Sequence, residues 1–448
     1  MVTQNLVTLK STSENDLTPE KALLTGITIG RIYKTVTIGV ETNPSSRMIK
    51  DAVISGLLSV GATVWDAETA PTPAVALASK NSDCFVMIGA PNDYGIVSSI
   101  YVHNPDGSAF SDEQLRYLLR ISGEDFEYPT YKAIGNIHHC DSVVERYNRK
   151  LSKLFKEVNC PVLIDCGCGC TSLCAPQILA SVGADVTTVN SQFDINYCPR
   201  PPGVSSSDVA GMSELINANL GSIGIALNGD GTRLALLDEG GRYVKQEEIL
   251  ALMLIYLKPT KIVVPMNTSA MIDDAFWGLI GEGVTSSAKP HAERKIVRTE
   301  STIEAITKAI KEEDAELGAM NDGTFIFPEI SMCSDAIYAA VLLSKIAGEN
   351  SIRNLLACFP KYITLNDVIH YTGNMELFGK KFKEKIGELD FKEIYSLDGW
   401  RVDMDYGWFI VTINKENTDY LEIRTESRDK AYAVSMMELA KSIIYKCI

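Results

Sequence analysis

Short apolar runs alternate with amphipathic stretches along the first 360 residues of the chain. Residues 84–88 form one continuous apolar run, as the buried strands of parallel sheets tend to do. A helix is predicted to open at Pro44, because apolar residues recur at three- and four-residue spacing through Ile49 and Val53. The pattern returns from residue 161 and again from residue 261. It predicts three related α/β units.

After residue 360 the pattern changes. Residues 406–411 and 420–425 read as two strands of an antiparallel sheet, and the amphipathic stretch 431–445 reads as a helix covering one face of it. The predicted fold class is therefore α/β, with three α/β domains followed by a C-terminal α+β domain. We place the domains at residues 1–150, 151–257, 258–360 and 361–448.

Composition narrows the class of protein. Of the 448 residues, 46% are hydrophobic and 22% charged, which is typical of a globular protein with sizeable cores. The formal net charge of −15 disfavours nucleic acid and anionic membranes as partners. No apolar run approaches the roughly 20 residues that a transmembrane helix needs, and no signal sequence is evident. The 11 cysteines, an odd number, suggest reduced thiols and a cytoplasmic protein.

Several segments carry longer motifs with a defined spacing. They are M-I-G-A-P-N-D-Y-G at 87–95, N-P-D-G-S-A at 104–109, I-G-V-E-T-N-P-S-S at 38–46, A-P-T-P-A-V at 70–75, I-D-C-G-C-G at 164–169 and G-I-A-L-N-G-D-G-T-R at 224–233. Together they resemble motifs of the α-D-phosphohexomutase family. In that family the segments that match 87–95 and 104–109 read M-I-T-A-S-H-N-P-P-E-Y-N-G and N-P-D-G-S-A. Those that match 70–75, 164–169 and 224–233 read A-P-T-P-A-V, V-D-C-G-N-G and G-I-A-H-D-G-D-A-D-R. The resemblance implies four domains around a central cleft. It also implies an activity that moves phosphate between C1 and C6 of a hexose through a phosphoserine and Mg²⁺.

The chain departs from these motifs where the chemistry lies. The resemblance puts the family's phosphorylated serine on Pro91, which has no hydroxyl, so no catalytic residue is assigned. The three magnesium aspartates fall on Asn228, Asp230 and Thr232. Because Mg²⁺ prefers carboxylate oxygens in octahedral geometry, one carboxylate of three makes a poor site. No cofactor is expected, with Mg²⁺ held by Asp230 and Asn228 if any site remains; the alternative is an Asx-stabilised turn.

Phosphate binding is altered in the same way. The family's R-P-S-G-T-E-P loop, which grips a dianion with an arginine and backbone amides, becomes T-I-N-K-E-N-T at 412–418. Arg233 and Lys415 are the candidate substrate-binding residues, with Lys10 as a further possible source of positive charge in the cleft. Arg233 could instead form a salt bridge with Asp230 or Glu239.

Three functions are weighed. The first is a non-catalytic phosphohexomutase paralogue that binds a partner, for example an active phosphohexomutase, or a ligand such as a sugar phosphate. The second is a diverged but active phosphomannomutase, phosphoglucomutase or phosphoglucosamine mutase. The third is a metal or redox protein using Cys166, Cys168, Cys170 and Cys174, whose spacing is irregular for a metal site and equally typical of small buried side chains.

Two further groups have polar side chains of uncertain role. His138, His139 and Cys140 could add ligands to a metal site, and otherwise form a surface turn before a helix that begins near Ser142. Ser98 and Ser99 follow the Pro91 position and could accept phosphate. A serine nucleophile needs a positioned base, however, and none is visible nearby in the sequence. A polar loop is the expected structure for these two serines.

Overall fold

The computed structural model describes residues 17–89, 98–192, 198–218, 222–280, 294–413 and 419–448. Pro91, Lys10 and Lys415 lie outside these ranges. The helices are α1 (Pro19–Ile32), α2 (Pro44–Ser59), α3 (Thr72–Ala78), α4 (Asp112–Ser122), α5 (Val143–Leu154), α6 (Ala175–Ser181), α7 (Met212–Ala218), α8 (Gln246–Leu257), α9 (Ala270–Trp277), α10 (Ile303–Glu313), α11 (Ala336–Glu349), α12 (Ile352–Ala357), α13 (Met375–Ile386) and α14 (Lys430–Cys447).

The strands follow the same chain order. They are β1 (Thr35–Val40), β2 (Thr63–Thr69), β3 (Cys84–Gly89), β4 (Ser99–His103), β5 (Ile137–His139), β6 (Pro161–Asp165), β7 (Asp185–Val189), β8 (Ile223–Leu227), β9 (Leu234–Leu237), β10 (Tyr243–Val244), β11 (Lys261–Pro265), β12 (Lys295–Thr299), β13 (Leu317–Ala319), β14 (Phe325–Ile326), β15 (Ile363–His370), β16 (Glu393–Ser396), β17 (Gly399–Met404), β18 (Gly407–Ile413) and β19 (Tyr420–Ser427). The chain divides into two compact units, one comprising Met1–Ile249 with Glu316–Leu355 and the other Leu250–Ala315 with Leu356–Ile448.

The first unit begins with a five-stranded sheet in the order β4-β3-β1-β2-β5. Strand β1 is parallel to both β2 and β3, and β4 runs antiparallel to β3. Helices α1 and α2 pack backbone to backbone, because a Cβ on Gly26 would lie 2.2 Å from the carbonyl oxygen of Val53 and one on Gly56 would lie 2.2 Å from that of Leu23. The two glycines therefore set how closely these helices can approach.

A second five-stranded sheet in the same unit has the order β10-β9-β8-β6-β7. Strands β6, β7 and β8 are parallel, and β9 turns back antiparallel to β8. Every residue of β8 and β9 is buried, so two well-packed strands fix the position of the turn between them. The hairpin of β13 and β14 and helix α11 complete the unit.

The second unit contains the parallel pair β11 and β12 and a five-stranded antiparallel sheet, β15-β19-β18-β17-β16. Helices α13 and α14 bury apolar residues against this sheet, in a core that includes Phe378, Phe382, Val411 and Ile444. Burial alternates along residues 420–424 of β19, where one face meets the helices and the other does not, whereas its last three residues are all buried.

The predicted fold class, α/β units followed by an α+β ending, is confirmed by these sheets. The helix predicted to open at Pro44 is α2, and the one expected near Ser142 begins at Val143. The predicted surface turn at 138–140 was wrong, since His138 and His139 belong to the edge strand β5, which pairs with β2. The four domain limits stay a prediction. Among helices in the described ranges, none combines the length and apolar character needed to cross a membrane.

Candidate active site

The turn between β8 and β9 is organised by one amide side chain. The Oδ1 atom of Asn228 accepts hydrogen bonds from the backbone N–H groups of Thr232 (3.0 Å) and Arg233 (2.9 Å), and its Nδ2 donates to the Thr232 hydroxyl at 3.1 Å. Gly231 occupies the left-handed region, with φ at 79°. Asn228 is fully buried, so these bonds close the turn from the inside.

Asp230 is bound on both of its carboxylate oxygens. Oδ1 accepts from the hydroxyl of Thr232 at 2.7 Å and from its N–H at 3.1 Å. Oδ2 accepts from the hydroxyl of Thr72 at 2.9 Å, and the Thr72 N–H donates to the Asp230 carbonyl, also at 2.9 Å. The carboxylate therefore has neutral hydrogen-bond donors around it. The Asx-stabilised turn expected as the alternative to a metal site is the structure observed.

These three positions do not fit the magnesium site that the motif resemblance implies. Such a site needs several carboxylate oxygens free to approach one ion in octahedral geometry. Here Asp230 supplies the single carboxylate, and the oxygens of Asn228 and Asp230 already accept the donors described above. Within the described ranges, no three His, Cys, Asp or Glu side chains come together in a way that could hold a metal ion.

Arg233 pairs with Asp322, with Nη2 and Oδ2 at 2.8 Å. The predicted partners, Asp230 and Glu239, were wrong: Glu239 instead accepts from the backbone N–H groups of Ile352 and Arg353. Both members of the Arg233 pair are about one-third exposed, at 36% and 39%. An incoming anion would therefore meet a guanidinium whose charge is already partly offset by the Asp322 carboxylate.

The surroundings of this turn are acidic. Glu41 is buried against Gly89 at the end of β3, where a Cβ on the glycine would lie 2.1 Å from the Glu41 carboxyl carbon. Tyr101 lies near Glu41, Asp230 and Arg233, and burial, reinforced by the two carboxylates, raises its pKa to about 12. A dianionic sugar phosphate would therefore meet carboxylates as well as Arg233.

The serines after the Pro91 position lie in the protein interior. The Ser98 hydroxyl hydrogen-bonds with those of Ser45 (2.6 Å) and Ser46 (2.9 Å) at the start of α2, and Ser99 begins β4. The expected polar loop was therefore wrong for Ser99, which belongs to a strand, whereas Ser98 lies outside the strand and makes polar contacts. Asn43 caps α2, its Oδ1 accepting from the Ser45 N–H at 3.0 Å. The hydroxyl network fixes the helix start and leaves no general base beside Ser98 among its described contacts.

The C-terminal phosphate-loop position is described only at its first residues. Thr412 lies in β18, paired with Gly399 on β17 and Glu422 on β19. A threonine hydroxyl carries no charge and cannot replace an arginine fork.

The four clustered cysteines are fully buried and free, with exposures of 0%. Cys170 donates to the carbonyl of Gly229 and Cys174 to that of Thr171. Burial raises the pKa of both thiols well above the ordinary value. These contacts are typical of small buried side chains, and they bring the Cys170 loop onto the turn that follows β8.

Sequence reasoning missed Thr72 and Glu41 as parts of this site. Both belong to motifs that the sequence displays, at 70–75 and 38–46. Their contacts with Asp230 and with the end of β3 depend on neighbouring sheets, so no local spacing could reveal them.

Comparisons with known proteins decide the ancestry. The model for phosphoglucomutase/phosphomannomutase, alpha/beta/alpha domain I matches residues 9–128, and the model for domain II matches residues 138–241. A Methanosarcina barkeri protein named probable phosphoglucosamine mutase is 30% identical over 408 residues, covering 90% of each chain. This chain belongs to the α-D-phosphohexomutase family.

Solved structures agree with that membership at the level of the fold. A phosphoglucomutase/phosphomannomutase family protein from Burkholderia thailandensis superposes with a TM-score of 0.82 at 17% identity, covering 100% of this chain and 98% of its own. An N-acetylphosphoglucosamine mutase from Aspergillus fumigatus, solved with GlcNAc-6P and magnesium, has a TM-score of 0.53 at 13% identity. It covers 92% of this phosphohexomutase-family chain, which in turn covers 77% of it.

Proposed function

We propose that this phosphohexomutase-family protein does not carry out the mutase reaction and acts by binding a partner or a ligand. The observation that carries the proposal is the closed turn at the family's metal position. Asn228 and Thr232 stand where two metal carboxylates are expected, and the remaining carboxylate, on Asp230, is satisfied by hydroxyl and amide donors. Removing two carboxylates leaves one where the family motif has three, which weakens the attraction for an ion that dehydrates reluctantly.

The chemistry of phosphoryl transfer supports the same proposal. Catalysis of this step depends on positioning and on stabilising charge around the transferred group. The chain has Pro91 at the nucleophile position, Thr412 at the arginine position of the phosphate loop, and Asp322 paired to Arg233. Each of these changes weakens a different requirement of the reaction, so a single compensating substitution elsewhere would not restore it.

The second candidate is an active phosphohexomutase that moves phosphate between C1 and C6 of a hexose. The comparisons favour this candidate, since the relative that is 30% identical over 90% of both chains is named a probable phosphoglucosamine mutase. Under this candidate another hydroxyl would carry the phosphoryl group and Mg²⁺ would be bound, the ion present in the solved complex of the Aspergillus fumigatus neighbour. An amino-sugar phosphate would then be the preferred substrate class.

For the non-catalytic candidate, the partner we propose is an active phosphohexomutase or a sugar phosphate. The net charge of −15 and the carboxylates of Glu41, Asp230 and Asp322 favour a protein partner over a free dianion, because like charges repel an anionic ligand. Nucleic acid and membrane surfaces, which need a basic footprint, are not part of the proposal.

Phosphorus NMR separates the two candidates. Purified protein is incubated with glucose 1-phosphate, mannose 1-phosphate or glucosamine 1-phosphate, together with Mg²⁺ and hexose 1,6-bisphosphate. An active mutase in a parallel sample controls for the reagents. We expect no 6-phosphate signal at any protein concentration. A signal that grows in proportion to this protein, and is lost on its heat denaturation, would establish the active-enzyme candidate instead.

A further inference from the structure

The second unit contains a cavity of about 1160 Å³. It lies beside α9, the turn between β17 and β18, and the start of α14, and all of its lining residues belong to this unit. The turn is at the Gly407 end of β18, whereas the altered phosphate-loop position begins at Thr412, roughly 17 Å further along the strand. The cavity is therefore separate from the altered phosphate and metal positions.

The lining of the cavity carries a net negative charge. It includes six carboxylates and three cationic side chains, and each of these cations is paired with one of the carboxylates. Of the other three carboxylates, one is paired with Arg298, which lies outside the lining. The remaining two, Glu393 and Asp429, accept hydrogen bonds only from neutral groups within the described ranges. The lining therefore attracts a cationic ligand and repels an anionic one.

Two arginines of the cavity show how its lining holds a guanidinium. Arg401 lies over the Trp408 ring at 4.2 Å and donates to Asp403 at 2.8 Å. Arg428 lies over a tyrosine ring at 5.3 Å and is paired with Asp274. In both sets one planar cation contacts an aromatic ring and a carboxylate together, which are the two kinds of group that an arginine side chain suits best.

A third aromatic group in the lining has carboxylates beside it and no arginine. The rings of Tyr406 and Tyr432 lie 5.5 Å apart at 80°, so they form two walls of a corner. Asp405 precedes Tyr406, and both side chains are exposed, at 70% and 72%. Asp429 accepts from the Tyr432 N–H at 2.9 Å. Among the described side chains, no arginine or lysine lies over either ring of this corner.

One buried hydroxyl holds the parts of this corner together. The Oγ atom of Ser427 donates to the carbonyl of Tyr406 at 2.6 Å and accepts from the N–H of Asp429 at 3.0 Å. Ser427 is fully buried, and the turn is closed by the pairing of Met404 with Gly407. The turn and the start of α14 are thus fixed to each other before any ligand arrives, which lowers the entropy lost on binding.

We propose that this cavity binds an arginine-bearing basic segment of a protein partner, with one guanidinium over the Tyr406–Tyr432 corner and paired with Asp429. The cavity exceeds the roughly 300–1,000 Å³ of most small-molecule pockets, so it accommodates several residues of an extended segment. Arginine is favoured over lysine because a guanidinium stacks on a ring and binds a carboxylate through two N–H groups. The inference rests on the proposed binding function for its choice of a protein partner, whereas the mutase assay concerns other residues.

Isothermal titration calorimetry with the full chain tests the proposal. The probe is the synthetic peptide Gly-Ser-Arg-Gly-Arg-Ser-Gly with blocked termini. Two matched peptides carry lysine or citrulline at both arginine positions; citrulline keeps the shape of arginine and has no charge. We expect one arginine peptide to bind per chain, the lysine peptide to bind about threefold more weakly or worse, and the citrulline peptide to give no saturable signal. Affinity should fall as the NaCl concentration rises.

Three variants locate the binding site. Tyr406→Ala removes one wall of the corner and should weaken binding by about three- to thirtyfold. Asp429→Asn keeps a side chain that can cap α14 and should weaken binding in the same direction, with a smaller dependence on salt. Tyr445→Ala changes a tyrosine of α14 that is 65% exposed and lies outside the cavity lining, so it should bind as wild type does. Thermal unfolding checks that each variant is folded.

Several outcomes would overturn the proposal. They are the absence of saturable binding of the arginine peptide to folded wild type, equal binding of the citrulline peptide, and equal affinities of Tyr406→Ala and Tyr445→Ala. Tighter binding of spermine than of the arginine peptide would assign the cavity to a polyamine instead. Self-association in sedimentation that Tyr406→Ala abolishes would assign it to a second copy of this chain. A mutase signal in the phosphorus NMR assay would refute the loss of catalysis and leave the peptide result unaffected.

Discussion

Two buried carboxylates, Asp230 in the first unit and Glu426 in the second, show different uses of the same group. Asp230 has small neutral donors around it, the hydroxyls of Thr72 and Thr232, in a turn where the family motif has three carboxylates. Glu426 lies on β19 and its Oε1 accepts from the Trp408 indole, the Ser269 hydroxyl and the Ala270 N–H, at 2.8–3.0 Å.

The region around Glu426 is a structural network of charges. Arg401 stacks over the Trp408 ring at 4.2 Å and donates to Asp403 and to the carbonyls of Met266 and Thr268. Buried ionic groups persist only when such partners compensate the loss of hydration. Comparing the two regions shows that buried charge in this protein need not mark a binding site. In both regions internal donors meet the buried carboxylate, which therefore serves the fold.

The largest expected effect is on the Glu426 network. Glu426→Ala leaves the Trp408 and Ala270 N–H groups buried without their acceptor, and removing one partner of such a network costs about 3–5 kcal/mol. Thermal unfolding should show a clearly lowered midpoint. Glu422→Ala, which changes an exposed glutamate on the same strand, is the matched control and should shift it little. A midpoint shift for Glu426→Ala as small as that of Glu422→Ala would show that the Glu426 network is dispensable.

The buried carboxylate of Asp335 has an incomplete set of donors, so it should make stability depend on pH. Asp335 accepts from the Tyr147 hydroxyl and the Tyr338 N–H on Oδ1, while Oδ2 has no partner among the described residues. Burial raises the pKa of Asp335 to about 6 from an ordinary value near 3.8. The folded state therefore holds this proton more tightly than the unfolded chain, so stability is lost as pH rises between about 4 and 6.

The variant Asp335→Asn isolates that contribution. Asparagine can still cap the start of α11 and carries no charge. The free energy of unfolding of the variant should therefore exceed that of wild type by up to about 3 kcal/mol at pH 8 and be similar to it near pH 4. Chemical denaturation of both proteins at several pH values gives the difference directly. A constant difference across this range would mean that Asp335 does not titrate as its burial requires.

Restoring carboxylates should convert the closed turn into a cation site. In Asn228→Asp/Thr232→Asp, three carboxylates repel one another without metal, and a divalent ion relieves the repulsion. We expect the thermal unfolding midpoint of this variant to rise with Mg²⁺. The free energy of unfolding should increase by about 1.4 kcal/mol when the ion is tenfold above its Kd. Wild type should show no Mg²⁺-dependent rise. A rise of equal size in wild type would contradict our account of the turn.

The smallest expected effect is that of Pro91→Ser. One hydroxyl does not supply the missing metal ligands or the phosphate-loop arginine, so phosphorus NMR should detect no mutase activity beyond that of wild type. The triple variant Pro91→Ser/Asn228→Asp/Thr232→Asp is measured in the same assay for comparison with Pro91→Ser alone. Clear activity from Pro91→Ser alone would refute the hypothesis of a site disabled at several positions.

The sequence predicted the fold well because its elements are local. Helix α2 begins at Pro44, where its start was predicted, and strand β3 contains the predicted apolar run 84–88. Periodicity and turn residues suffice for such elements. The surface turn expected at 138–140 was wrong because pairing with β2 makes His138 part of an edge strand, and a three-residue edge strand has no periodic pattern of its own.

The candidate site was predictable in its residue types and not in its contacts. Asn228, Asp230 and Thr232 were identified as the altered metal positions through the resemblance of residues 224–233 to the family motif. The partner of Arg233 was not predictable, because Asp322 is far away in sequence. It lies between β13 and β14 of the same unit. Pairing between distant segments is a property of the assembled sheets.

By itself, the sequence determined the family, the order of strands and helices, and the absence of a hydroxyl at residue 91. These follow from residue identity and local spacing, which need no folded structure. Only the tertiary structure decided that Asn228 closes its turn, that Thr72 binds Asp230, and that Arg233 pairs with Asp322. The physical reason is that hydrogen bonding and burial depend on distances in space, which chain folding sets between residues far apart in sequence.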